Sequence, residues 1–153
     1  MFWGLFMKIF IAADHNGFFL RNNLIQYLKR AGYDVQDDGG AKLDPEDDFP
    51  ILAARVVHDI LSSDNPDPRG ILICGSGQGM CMAANRYKSI RACMGYDRES
   101  IKASRKDENS NVLCLAARVL EKDKINMLVE TFLVTPYERL PRYERRLQEM
   151  DNI

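Results

Sequence analysis

The sequence has almost no excess of charge, because its 21 lysine and arginine residues face 22 aspartate and glutamate residues, for a net charge of −1. A chain this close to neutrality has no global field that favours nucleic acid or an anionic membrane surface. We therefore expect neither nucleic acid nor membrane as a partner. A small molecule is the expected substrate.

Cysteine and histidine are also scarce. The cysteines lie in apolar stretches, form no Cys-x-x-Cys pair and have no histidine cluster near them; they are Cys74, Cys81, Cys93 and Cys114. This pattern argues against a zinc site and against the disulfide framework of a small secreted protein. It favours the reducing cytoplasm and a site without a metal ion.

Long apolar runs are absent as well. The opening segment 1–6 is apolar, but it has no basic region and is too short for a signal peptide or a membrane span. We interpret it as an N-terminal extension before a start-like Met7. Residues 7–153 are predicted to form one domain, since a chain of this length can bury its own core.

The sequence does contain a regular alternation of strand-like and helix-like segments. Apolar runs predict strands at 9–13, 33–36, 70–74, 89–94 and 111–115. Helical spacing between and after them predicts helices, the last of which is a basic helix at about 138–150. This alternation predicts a three-layer α/β fold, with a parallel sheet covered by helices on both faces and ligands at the carboxyl ends of the strands.

The third predicted strand runs directly into a glycine-rich loop, Cys74-Gly75-Ser76-Gly77-Gln78-Gly79. Backbone N–H groups of such a loop favour a thiolate at Cys74 and can hold a second anion. On these residues alone, a generic tight turn with a buried structural cysteine is an equal alternative. The spacing GxGxG follows a third strand, whereas the dinucleotide fingerprint GxGxxG follows a first strand, so a nicotinamide cofactor is not indicated.

The first predicted strand ends in Asp14-His15-Asn16-Gly17, which should lie on the same edge of the sheet as Cys74. His15 can bind a sugar or phosphate oxygen and can exchange a proton near neutral pH. The alternative is an Asx-type loop that only caps the following helix. The other histidine, His58, falls inside a predicted helix and is interpreted as a surface or packing residue.

Several further motifs accompany these two in a fixed order. Together they are Asp14-His15-Asn16-Gly17, Asp48-Phe49-Pro50, Gly70 to Gly79, Ala83-Ala84-Asn85-Arg86, Ile90-Arg91-Ala92, Ser104-Arg105 and Asn111-Val112-Leu113. This series resembles ribose-5-phosphate isomerase type B, a family that includes the galactose-6-phosphate isomerase subunits, over nearly the whole chain. The resemblance implies a five-stranded, Rossmann-like parallel sheet, a homodimer or dimer of dimers, and a cofactor-free site built across the dimer interface for a sugar phosphate.

The resemblance also implies roles for individual residues. Cys74 would carry the C2 proton of the open-chain aldose phosphate to C1, Ser76 would assist ring opening, and Asp14 would contact the sugar. His15 would bind near the phosphate end. Backbone N–H groups of the loop would hold the enediolate oxygens, which makes Gly75, Gly77, Gln78 and Gly79 substrate-binding residues.

Three arginines are the predicted phosphate ligands. Arg142 and Arg146 match a phosphate clamp and lie one helical turn apart. Tyr143 replaces a histidine of that motif, and a solvated basic helix face is the alternative interpretation. Arg118, just after the fifth predicted strand, matches a further family arginine.

The sequence departs from the family at the ring-opening position, where Asp107 and Glu108 occupy the place of a His-Asn pair. The acidic pair can supply a proton if its pKa is raised, can redirect the phosphate by repulsion, or can be an exposed helix end. Phe49 also replaces a tyrosine found in some members. Three hypotheses follow: a ribose 5-phosphate isomerase, an isomerase of another aldose phosphate such as a hexose 6-phosphate, and a non-catalytic phospho-sugar-binding relative.

Overall fold

A computed structural model describes residues 7–153, so the predicted extension 1–6 lies outside the described residues. The elements, in chain order, are β1 (Met7–Ala13), a 3-10 turn (His15–Gly17), α1 (Phe18–Arg30), β2 (Asp34–Asp37), α2 (Phe49–Ser62), β3 (Asp67–Cys74), α3 (Gln78–Ala84), β4 (Ala92–Met94), α4 (Arg98–Glu108), β5 (Val112–Ala116), α5 (Lys122–Val134) and α6 (Pro141–Asp151). None of these helices has the length and hydrophobicity needed to cross a membrane.

The five strands form one all-parallel sheet in the order β2-β1-β3-β5-β4. The predicted α/β class, with a Rossmann-like parallel sheet, is therefore confirmed. The chain leaves β1 toward β2 on one side and returns to β3 on the other side. In an open parallel sheet this reversal opens a crevice at the carboxyl ends of the two central strands, where ligands bind.

Helices cover both faces of the sheet because the central strands are apolar on both faces. On one face, buried residues of α1, α4 and α5 pack against Ile11, Ile73 and Leu113. On the other face, α2 and α3 pack against Leu72 and Cys114. Each fully buried aliphatic side chain of this kind stabilises the fold by about 1.5–3 kcal/mol.

Several boundaries differ from the sequence-based prediction. Strand β4 covers only Ala92–Met94 because Ser89 has a positive φ of 68°, which an extended strand does not accommodate. Helix α6 begins at Pro141, whose fixed φ suits a first helical turn. Tyr143 is buried in this region, whereas Leu140 and Met150 are exposed and Leu147 is partly exposed.

Candidate active site

A cavity of about 310 Å³ opens at the carboxyl ends of β1, β3 and β5. Its walls are Asp14, Asn16, Phe49, Cys74, Gly75, Ser76, Gly79, Arg118 and Val119. The two motifs that were predicted to share an edge of the sheet therefore meet at one cavity. Gly77 and Gln78, the remaining loop residues of the prediction, lie beside it in the sequence without lining it.

Cys74 is the last residue of β3 and is 5 % exposed. Its Sγ accepts a hydrogen bond from the backbone N–H of Gly77, with 3.2 Å between sulfur and nitrogen. This hydrogen bond fixes the position of the sulfur relative to the glycine-rich loop. The sulfur is therefore held at the wall of the cavity, where a ligand can reach it.

The loop after Cys74 follows its path because Gly77 has a φ of +75°, a conformation that side chains rarely adopt. A Cβ atom at Gly77 would lie 2.8 Å from Cε of Met94 and 3.2 Å from the backbone carbon of Leu115. Glycine is thus required here for both conformation and space. The ring of Phe49 packs directly against Gly79 at the end of the loop, since a Cβ at Gly79 would be 2.8 Å from this ring.

Main-chain hydrogen bonds tie three loops together at the cavity. The N–H of Asp14 donates to the carbonyl of Ile73 at 3.1 Å. The N–H groups of Ala117 and Arg118 donate to the carbonyls of Cys74 and Gly75 at 2.9 and 3.0 Å. These hydrogen bonds extend the pairing of the sheet past the ends of the strands. They fix the positions of the three loops relative to one another.

Asp14 is 6 % exposed and begins the 3-10 turn. Its carboxylate accepts hydrogen bonds from the backbone N–H of Asn16 at 2.9 Å and from the Asn16 side-chain amide at 3.3 Å. This is an Asx-type turn, as in the alternative interpretation, but it caps the 3-10 turn and not α1, which has no side-chain cap. Because the same carboxylate also lines the cavity, capping and substrate contact are compatible.

His15 does not line the cavity itself, but its ring contacts Asn16, which does. Its Nδ1 is 2.7 Å from Oδ1 of Asp47, and its Nε2 is 3.3 Å from the side-chain nitrogen of Asn16. The hydrogen bond with Asp47 raises the pKa of His15, with a further increase from the charge of Asp14, while burial and the Arg118 charge act in the opposite direction. Asp47 has no distinguishing signal in the sequence, since it is one of several acidic residues in its loop.

Arg118 is the cation among the cavity-lining residues. It follows β5, and a Cβ at Gly75 would be 3.3 Å from its Cδ and Nε atoms. The guanidinium therefore lies against the glycine loop and is exposed to solvent. Such a group can bind the phosphate or a sugar oxygen of a ligand in the cavity.

The other predicted site residues lie elsewhere in the chain. Arg142 and Arg146 are exposed on α6, and Asp107 and Glu108 end α4, on which α6 packs. Glu108 contributes to a separate cavity of about 600 Å³ beside β4. Burial raises the pKa of Glu108, the Asp107 charge raises it further, and the Arg146 charge lowers it. Within one copy of the chain, none of these four side chains lines the Cys74 cavity.

The cysteines and His58 also have defined positions. All four cysteines are free thiols, and no group of three or more His, Cys, Asp or Glu side chains in residues 7–153 could hold a metal ion. Cys81 has its pKa lowered to about 7 by a hydrogen bond with Cys114, although it lies off the cavity. His58 is exposed on α2, with its ring edge toward Tyr87.

The sequence profile described as Ribose/Galactose Isomerase matches residues 9–150. A probable ribose-5-phosphate isomerase B of Mycoplasma pneumoniae is 38% identical over 130 residues, 85% of this chain and 84% of the relative. A D-erythrulose-4-phosphate isomerase of Pectobacterium atrosepticum is 33% identical over 132 residues, 86% of either chain.

Solved structures agree with these sequence matches. A ribose 5-phosphate isomerase of Thermotoga maritima superposes with a TM-score of 0.89 at 38% identity, covering 95% of this chain and 98% of that chain. Ribose-5-phosphate isomerase B of Mycoplasma genitalium with bound ribulose-5-phosphate gives a TM-score of 0.87 at 34% identity, with 95% of each chain covered.

Proposed function

Because this chain belongs to the ribose/galactose isomerase family, we propose that it interconverts ribose 5-phosphate and ribulose 5-phosphate. The observation that carries this proposal is the Sγ of Cys74, which accepts the Gly77 N–H at the wall of the cavity. The relatives named as ribose-5-phosphate isomerases, one of them solved with ribulose-5-phosphate, support the choice of substrate.

The proposed reaction moves one proton between neighbouring carbons. The Cys74 thiolate removes the C2 proton of the open-chain aldose phosphate, the C1–C2 double bond forms, and O1 takes the negative charge. A proton passes from the O2 hydroxyl to O1, and the Cys74 thiol then returns its proton to C1 to give the ketose. No step of this sequence calls for a cofactor.

Other cavity residues stabilise and orient the substrate in this proposal. Backbone N–H groups of the loop residues that line the cavity, which are Gly75, Ser76 and Gly79, hold the enediolate oxygens, where charge develops in the transition state. Asp14 binds sugar hydroxyls, and Ser76 assists ring opening. Arg118 provides positive charge within the cavity.

We further propose that a second copy of the chain supplies Arg142 and Arg146 to the phosphate end of the substrate. Both side chains are exposed, and neither is part of the cavity of its own chain. A doubly charged phosphate is bound best by two or more guanidinium groups, whereas this cavity offers Arg118. A symmetric dimer would complete two such sites at once.

Mixing two inactive variants is expected to restore activity if the site is shared between copies. Cys74→Ala and the double variant Arg142→Ala/Arg146→Ala each damage one half of a site, so one of the two sites in a mixed dimer would be intact. Co-expression of the two under different affinity tags, followed by purification through both tags, is expected to give about half the parent activity per dimer. As control, the parent chain is paired with the triple variant, which leaves both sites with one defect each. Activity of the mixed dimer no higher than that of either variant alone would show that each copy completes its own site.

A second candidate function is the isomerisation of a tetrose 4-phosphate, favoured by the relative named D-erythrulose-4-phosphate isomerase. The oxygen on C4 of such a sugar carries the phosphate, so the sugar cannot close a furanose ring. An enzyme acting on it needs no ring-opening acid, and Asp107 and Glu108 stand where the family resemblance implies one. This makes the acidic pair a candidate determinant of substrate choice.

A panel of sugar phosphates separates these functions. We expect kcat/KM for ribose 5-phosphate to exceed that for erythrose 4-phosphate and for hexose 6-phosphates by at least about tenfold, since differences in transition-state binding set such ratios. A reversed order for the tetrose would establish the second candidate. Incubation of each ketose phosphate in heavy water tests proton transfer apart from ring opening. Binding without deuterium incorporation would identify a non-catalytic sugar-phosphate-binding protein.

A further inference from the structure

Asp47 binds His15 through two hydrogen bonds to one oxygen atom. Its Oδ1 accepts the His15 backbone N–H at 3.0 Å and lies 2.7 Å from Nδ1 of the ring. The two side chains are 34% and 22% exposed, so solvent competes only in part for these contacts. One carboxylate thereby restrains both the main chain and the ring orientation of His15.

This contact determines which ring nitrogen carries the proton. A carboxylate is acceptor-only, so Nδ1 must donate, and Nε2 of the neutral ring is then an acceptor. Nε2 lies 3.3 Å from the side-chain nitrogen of Asn16, which also donates to Asp14 at 3.3 Å. A chain of polar contacts therefore leads from Asp47 through His15 and Asn16 to Asp14 at the cavity wall.

The position of Asp47 is itself restrained by the rest of the fold. The loop that carries it is fastened near its start by Arg21 of α1, which is 2% exposed and donates from Nη2 to the carbonyl of Gly40 at 2.7 Å. A Cβ at Gly39 would be 1.9 Å from Nη1 of the same guanidinium, so the loop lies directly on it. Near its end, the N–H of Asp47 donates to the carbonyl of Asp44 at 3.2 Å, and α2 begins two residues later.

We propose that Asp47 is the positioning residue of the site, which holds His15 in the Nδ1–H tautomer with Nε2 directed toward the cavity through Asn16. This role of Asp47 rests on the proposed function, in which the ligand of the cavity is a sugar phosphate. Because His15 does not line the cavity, its Nε2 acts through Asn16: the neutral ring accepts a hydrogen bond from the Asn16 side chain, which does line the cavity. The charged groups that face the ring are Asp47 from the loop before α2, Asp14 after β1 and Arg118 after β5.

The tautomer can be measured directly because the chain has only two histidines. Nitrogen chemical shifts of the histidine rings in 15N-labelled protein distinguish the Nδ1–H and Nε2–H forms, with His15→Ala used for assignment. We expect the Nδ1–H form at His15 in the parent and a shift toward the Nε2–H form in Asp47→Ala. Asp47→Asn, which removes the charge, is expected to lower the pKa of His15. The resonances of His58, which is exposed on α2, are the internal control and should not move.

A double-mutant cycle separates positioning from a merely structural role. Asp47→Ala is expected to lower kcat/KM by about tenfold in the parent, because misorientation of a binding group costs rate. It should have no further effect in the His15→Ala background if Asp47 acts through His15. Glu46→Gln is the matched control, since it removes a charge from the same loop at an exposed position and should leave the activity and the His15 spectrum unchanged.

These experiments test the role of Asp47 separately from the proposed isomerase function. An unchanged His15 tautomer in Asp47→Ala, or an equal loss of activity with and without His15, would overturn the inference. Lack of isomerase activity in the parent, together with the expected change in tautomer, would overturn the proposed function and leave the positioning of His15 by Asp47 established.

Discussion

Replacement of Cys74 by alanine is expected to lower kcat for isomerisation by about 10³-fold to 10⁴-fold, because it removes the proposed base. The substrate should still bind, since the loop N–H groups, Asp14 and Arg118 are unchanged. The same variant should lose incorporation of deuterium from heavy water into the ketose phosphate. Binding measured by calorimetry and exchange measured by NMR test the two halves of this prediction.

Cys81→Ala is the matched control for this experiment. Cys81 lies seven positions further along the chain on α3, it is half-buried, and its pKa is lowered to about 7, so it is a second thiol with the chemistry of a base. It does not line the cavity, so its loss should change kcat by less than about twofold. If Cys74→Ala exchanged deuterium as fast as the parent, or if Cys81→Ala were the inactive variant, the assignment of the base would be wrong.

Gly77→Ala is expected to produce the second large effect. The left-handed backbone at this position costs a side-chain-bearing residue about 1–2 kcal/mol, and the new Cβ would approach Leu115 main-chain atoms at 3.2 and 3.3 Å. The loop must move away from β5, and the N–H of residue 77 then no longer points at the Cys74 sulfur. We expect kcat/KM to fall by about 100-fold, since displacement of the loop misplaces the sulfur relative to the substrate, and a misplaced reacting group costs rate on that scale.

Gly32→Ala provides the comparison that isolates the site. Gly32 has a φ of +89°, and nothing lies within 4 Å of a Cβ built there. The substitution imposes the same backbone cost at the end of α1, without the contact and away from the cavity. Both variants should lower the melting temperature by a few degrees, about 2–4 °C per kcal/mol for a chain of this size, but only Gly77→Ala should lose activity. An equal activity in the two variants would show that the loop geometry does not govern the reaction.

Local patterns were sufficient to predict the secondary structure elements, since burial on both faces makes the strands apolar and helical spacing marks the covering helices. The strand order was not available from such patterns. Strand β5 lies between β3 and β4, so the last strand in the sequence is internal and the fourth forms an edge. This order depends on pairing between distant segments, which a periodicity does not encode.

The same distinction applies to the candidate site. Asp14 and Cys74 were predictable as neighbours because each ends a strand of a parallel sheet and carries reactive chemistry. Asp47 was not, because its contact with His15 joins residues 32 positions apart, and its own loop contains acidic residues with no such role. The separation of Arg142 and Arg146 from the cavity likewise results from how α6 packs on α4.

The main-chain hydrogen bonds that join the three loops affect how the cavity can change during evolution. Because Asp14 is tied to Ile73, and Arg118 to Gly75, through peptide groups, these contacts between the loops do not depend on the identity of the side chains at those positions. Substitutions of side chains that line the cavity can therefore accumulate without moving the Cys74 sulfur or the Gly77 N–H that donates to it. Under the proposed function, substitution of a lining side chain is therefore expected to change the preferred sugar phosphate before it impairs the proton-transfer step.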